Sequence, residues 1–368
     1  MRLFVALLAA PLALGCKEEP APAEATAPST AVSSVRAPVA ASAPAPVART
    51  PKPVPSPIQC KALAKKKLVA IGAHGGRAAL PVTANGHVYV FAHEEARARA
   101  TLLAMPRNGD KAAEIGHVTS TKAPDALVVD EGAAYFTVGR KLMALPLSGG
   151  EARELAPKVG KPLALGGGKL YALRCPADQE ADELVSVEGE SGTTTVVASI
   201  PRASKSTKCE YSALTVTDAA AYVSDWSKRR ILKLALTGGA LTVLAEKQAF
   251  PGRIVPGGGV VLFQSSTGVQ QVSDAGGAVK TLTGDGAMPF EALAWDESDL
   301  YILNTPAYSE RDMVVRLPRA GGKREELEHF RVADVTAGGG RVDLTVDEQC
   351  VYLAHDSSRF MEILARPK

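Results

Sequence analysis

A single unit of about 44 residues recurs along most of the chain, and this repeat limits the possible folds more than any other feature. Each copy has an apolar segment, a turn, a short strand carrying Tyr, a variable loop, a second apolar strand, a Gly turn and a closing strand. The clearest copies are ALVVDEGAAYFTVGRKLMALPLSGGEARELA, ending at Ala156, and LTVTDAAAYVSDWSKRRILKLALTGGALTVLA, ending at Ala245. The same frame fits around Tyr89, Tyr171, Val261 (in place of Tyr), Tyr301 and Tyr352.

The local chemistry of each unit is that of strands and tight turns. Segments of four to six residues rich in Val, Leu, Ile and Tyr alternate with turn signals. Gly-Gly pairs at 149–150, 238–239, 276–277 and 321–322 each lie between two strand segments. Glycine supplies the positive φ that tight hairpins require. Such a sheet cannot bury both faces alone, whereas a ring of sheets stacks them and leaves only short edges. The expected fold is all-β: a seven-bladed β-propeller of four-stranded antiparallel blades, with six or eight blades as alternatives. Residues Lys67-Leu68-Val69-Ala70-Ile71-Gly72 are the expected outer strand of the last blade, closing the ring from the N-terminal side.

Tyr135-Phe136-Thr137-Val138 and Tyr222-Val223-Ser224-Asp225 resemble YWTD-type repeats. The whole unit is similar to the propellers of bacterial surface lipoproteins and the TolB/WD40-like group, over roughly residues 67–366. That resemblance implies a propeller and no particular activity.

The N-terminus gives an expected compartment. Met1-Arg2 is a short positive start, residues 3–14 are apolar apart from Pro11, and Gly15-Cys16 follows, the pattern of a secretory signal. Leu12-Ala13-Leu14-Gly15-Cys16 resembles a bacterial lipobox, a family in which cleavage precedes the Cys and Cys16 becomes the lipidated terminus. The expected location is the cell envelope, with Lys17 favouring the outer membrane. Residues 17–59 are rich in Ala, Pro, Ser, Thr and Val, without period or large apolar side chains, and read as a tether. Some 40 residues in polyproline form would reach on the order of 100 Å. The expected domains are therefore a signal peptide (1–15), a tether (16–59) and the propeller (60–368).

Cys60, Cys175, Cys209 and Cys350 remain after Cys16, and an exported chain favours two disulfides. If the four strands of a blade are named a to d, the b–c and d–a loops share one face and the a–b and c–d loops the other. Cys175 and Cys209 fall on the first face, Cys60 and Cys350 on the second. The expected pairs are Cys175–Cys209 and Cys60–Cys350.

Little points to catalysis. The 42 Lys and Arg against 39 Asp and Glu leave a charge of +3, with no concentrated basic face for nucleic acid. HExxH, CxxC and Gly-x-Ser-x-Gly are absent. No catalytic residue, metal or cofactor is expected. His93 and His355 both fall just after an expected strand b, and in a closed ring His93-Glu94-Glu95 and His355-Asp356 could meet on one face and offer a metal site, against the usual solvated reading of such loop residues. Trp295 lies in an apolar strand and is expected in the core. The b–c loops are the candidate binding surface. Trp226, Arg229, Arg230, Tyr308 and Arg311 are residue types that dominate interface energetics. The function read from these features is a non-enzymatic, membrane-anchored binding scaffold whose partner is another envelope protein, with no small-molecule ligand assigned. The alternative is an enzyme of the lactonase or streptogramin-lyase kind with a metal in the central channel.

Overall fold

The strands of the described residues pair into seven antiparallel sheets, each a simple meander in which consecutive strands are neighbours. They span residues 76–119, 126–157, 159–201, 211–245, 254–281, 290–331 and 342–367, numbered here one to seven. The structure, a computed structural model, describes residues 76–107, 112–177, 179–202, 209–239, 241–283, 290–304, 311–331, 342–356 and 361–368.

Among the described residues, six sheets have four strands. The seventh has three, Val342–Val346, Cys350–Asp356 and Met361–Pro367. The expected seven four-stranded blades are thus six, followed by one three-stranded sheet. The segment expected to supply its outer strand, residues 67–72, lies outside the described residues, as do Cys16 and Cys60.

The core explains the apolar repeat. It consists of seven clusters, each shared by two adjacent sheets. Phe91, Leu102 and Phe136 join sheets one and two, with the two Phe ring centroids 4.7 Å apart. Sheets two and three share Tyr135 and Val185, three and four share Leu173 and Val223, and four and five share Ile231 and Phe263. Sheets five and six share Leu262 and Leu300, and six and seven share Leu303 and Leu353. The last cluster joins Tyr352 of sheet seven to Val88 and Val90 of sheet one, so the ring closes.

Alternation along one strand serves both neighbours. Ala134, Phe136 and Val138 face sheet one, while Tyr135 faces sheet three. This is why Val88 to Ala92 are all buried although they form a continuous apolar run. Full burial of a side chain such as Phe136 contributes about 2–3 kcal/mol. The outermost strands, such as Thr194–Pro201, alternate less and are largely exposed.

The Gly-Gly pairs form the turns between strands c and d, as expected. Gly150 has φ +116° and Gly322 φ +136°, values that only glycine adopts without strain.

Candidate partner-docking face

Three of the a–b turns carry a shared acidic motif. Asp130-Glu131, Asp296-Glu297 and Asp347-Glu348 each precede the anchoring Tyr by five residues, counted from the Asp. Asp347 Oδ1 accepts the backbone N–H groups of Gln349 and Cys350, both at 2.8 Å, and Tyr352 donates its hydroxyl to Oδ2 at 2.6 Å. Asp130 with Tyr135 and Asp296 with Tyr301 repeat the arrangement. The Tyr is therefore an anchor because its hydroxyl fixes the turn that begins its strand. Burial, then the hydrogen bond to Asp130, push the Tyr135 hydroxyl up to about 12.

The residue after strand c then reaches the turn of the preceding sheet. Arg107 binds Asp347 at 2.7 Å and Glu348 at 2.8 Å across the seam between sheets seven and one. Lys368 pairs with Asp296, and Arg319 donates to Pro256 O at 2.8 Å. All three cations follow a Pro, at Pro106, Pro367 and Pro318.

Between these latches lies a cleft of about 520 Å³ lined by Arg107, Trp295, Glu297, Asp347, Glu348 and Lys368, among others. Trp295 is only partly buried and forms part of its wall, which corrects the expected core placement. At the end of strand Phe290–Trp295, its side chain packs on the edge of the cluster shared by sheets five and six and stays part-exposed to the cleft. Burial pushes the Asp296 carboxyl up, but Lys368, the N–H groups of Asp299 and Ser298 and the Tyr301 hydroxyl outweigh it and bring it down to about 2.

The opposite face, made by the b–c loops and the connections between sheets, carries the aromatic residue singled out in the sequence. Trp226 is 45% exposed and packs on Phe250, which is 64% exposed, with ring centroids 5.7 Å apart. Trp226 comes from the b–c loop of sheet four and Phe250 from the connection to sheet five. Arg229 lies exposed beside them, donating through Nε to Gln248 O at 3.2 Å. Arg229, Lys247 and Phe250 have φ of +56°, +58° and +50°. Three of the seven described non-glycine residues with positive φ therefore cluster at this patch. Such strain concentrates at functional sites.

Arg230 does not present itself for docking. Its Nε is bound to Asp225 at 2.8 Å, and Asp225 also accepts from Ser227 at 2.9 Å. As the first residue of strand Arg230–Ala235, it is held against the end of the preceding strand. Tyr308 lies outside the described residues, and Arg311 opens strand Arg311–Pro318 in sheet six, whereas Trp226 belongs to sheet four. Phe250 was not read from the sequence, though a Phe in the turn-rich run Gln248-Ala249-Phe250-Pro251-Gly252 could have flagged it.

The patch has a rigid base. Cys175 and Cys209 are joined by a disulfide, as expected. Glu210, the next residue, accepts the Trp226 N–H at 3.1 Å. Gly160 leaves room for Cys209, because a Cβ there would sit 2.5 Å from Sγ. Beside them Asp182 accepts from the Tyr211 hydroxyl at 2.7 Å and from Arg202 Nε at 2.6 Å, in a buried cluster. Cys350 is fully buried and also disulfide-bonded.

His93 lies within strand His87–Glu94, and His355 within Cys350–Asp356, rather than just after them. His93 Nε2 is 3.1 Å from Ser120 O. Among the described residues no three His, Cys, Asp or Glu side chains form a group that could hold a metal. Just before strand Ile254–Gly257 of sheet five, Arg253 binds both Asp343 oxygens of sheet seven, at 2.5 and 2.7 Å, and donates to Leu293 O of sheet six at 2.8 Å. No described helix is long and apolar enough to cross a membrane.

No family model and no curated protein matches the sequence. Solved structures do match in shape. The extracellular domain of a hybrid two-component system from B. thetaiotaomicron aligns with TM-score 0.57 and 11% identity, over 80% of this chain and 39% of that one. BamB from Moraxella catarrhalis aligns with TM-score 0.51 and 11% identity, over 76% and 82%. The chain is a β-propeller. At these identities the likeness shows the propeller fold alone. The AfRom2 CNH domain belongs with the others, at TM-score 0.53 and 11% identity over 82% and 98%. The propeller spans well under half the length of the first of these structures.

Proposed function

We propose that the protein is a non-enzymatic, membrane-anchored binding scaffold of the bacterial envelope, docking a protein partner on the face that carries Trp226 and Phe250. The observation that carries this reading is the exposed aromatic pair, held on strained loops above a disulfide. A solvated Trp–Phe pair is a poor choice for a surface without a partner, and Trp is among the commonest interface hot spots. The extracellular domain among the similar structures accords with an envelope location.

In this reading Cys16 carries the lipid and residues 17–59 hold the propeller off the membrane. Residues 67–72 complete the three-stranded sheet as a seventh blade, and Cys60 is the disulfide partner of Cys350. Peptide mapping without reduction tests the last point, with a linked Cys60–Cys350 peptide expected.

The test of function is a photo-crosslinking amino acid at position 226 in intact cells. A specific envelope protein should be captured, and Phe250→Ala should reduce its yield severalfold. Capture of nothing from position 226 would remove the proposal's basis.

A further inference from the structure

We infer that the docked partner segment is acidic, with carboxylates flanking an apolar or aromatic anchor that packs on Trp226 and Phe250. This rests on the docking role proposed above and adds the partner's chemistry.

The charges around the pair support it. Lys228 and Arg229 share the loop of Trp226, and Lys247 lies three residues before Phe250. The carboxylates beneath the loop are already engaged. Asp225 is bound by Arg230 and Ser227, and Asp182 by Arg202 and Tyr211. Lys228 and Arg229 instead donate to carbonyl oxygens, of Pro201 and of Gln248 and Lys247. Carbonyl acceptors carry no formal counter-charge, and the carboxylates that act on Lys228, Asp225 and Asp182, are shared with Arg230 and Arg202. Burial, then the nearby Arg230 cation, push the Lys228 ammonium down, while Asp225 and Asp182 pull it part of the way back. Glu246 and Glu210 also oppose the positive charge, but Glu210 meets the Trp226 loop through its backbone carbonyl. A partner carboxylate would supply the missing counter-charge, while its anchor covers the aromatic pair.

Two labelled peptides with the same central Phe test this, one flanked by Asp and Glu and the other by Lys. Binding to the full chain, purified in mild detergent, is read by fluorescence anisotropy. The acidic peptide should bind at least tenfold more tightly and weaken severalfold as salt screens the charges. Lys228→Glu with Arg229→Glu should abolish that preference, and Trp226→Ala should weaken both peptides, with thermal midpoints showing that the variants fold. Equal binding, tighter binding of the Lys peptide, or binding of neither overturns the inference. If position 226 captures a partner in cells but the contacting segment has no excess of acid, the inference fails while the docking role stands. If position 226 captures nothing, the docking role itself fails.

Discussion

Asp347 has one carboxylate and four donors: two backbone N–H groups, the Tyr352 hydroxyl and Arg107. Burial alone would raise its pKa, and the donors pull it below the usual carboxylate range. Asp296 is the same device, brought down to about 2. A carboxyl depressed in the folded state stabilises above its unfolded pKa near 4 and loses that stabilisation as pH falls through its folded value. Stability should therefore drop between about pH 4 and pH 2. Asp296→Asn should flatten that drop and cost on the order of 1 kcal/mol at pH 7, since the site is partly screened by solvent; urea unfolding at both pH values measures it. The Tyr135 hydroxyl works with the opposite sign. Pushed up to about 12, it stabilises below the unfolded Tyr pKa near 10 and loses this as pH rises towards 12. The Tyr residues were legible as anchors, but their Asp partners were not. A five-residue offset suggests nothing until the turn brings the hydroxyl back onto the carboxylate.

Strands and turns were the most legible level. The Gly-Gly turns and the face shared by Cys175 and Cys209 follow from strand alternation, which sequence period reveals. Their energetics can be tested. The disulfide closes a separation of 34 residues, which in the chain-entropy model contributes about 3–4 kcal/mol. Replacing both cysteines with Ala should cost an amount of that order in chemical denaturation and loosen the Trp226 loop through Glu210. Gly160→Ala would set a methyl 2.5 Å from Cys209 Sγ and should cost about 1–3 kcal/mol, read as a lower thermal midpoint. Phe250 went unread and Trp295 was placed too deep at this level. Phe250 lies in the connection between strands Thr242–Ala245 and Ile254–Gly257, where no period marks burial, and Trp295 lies at a strand end where alternation no longer decides it.

The whole molecule depends on closure, which joins sheet seven to sheet one. Tyr352 packs against Val88 and Val90, Thr83 donates to Val346 O at 2.8 Å, and Arg107 reaches Asp347. The Asp347 side chain is 4% exposed and that of Arg107 17%, so removing one partner leaves a desolvated charge. Arg107→Ala should destabilise by about 2–4 kcal/mol, against less than about 1 kcal/mol for the exposed pair of Arg99 and Glu114, as equilibrium unfolding would show.

The sequence by itself determined the repeat, the strand class, the turns and the face on which each loop opens, because these follow from residue period and backbone preference within about 44 residues. Only the tertiary structure decided which carboxylates are neutralised, which Trp is covered and which aromatics meet. Those outcomes depend on contacts between sheets, such as Arg107 with Asp347 across 240 positions, and no local pattern encodes which side chains a closed ring will bring together.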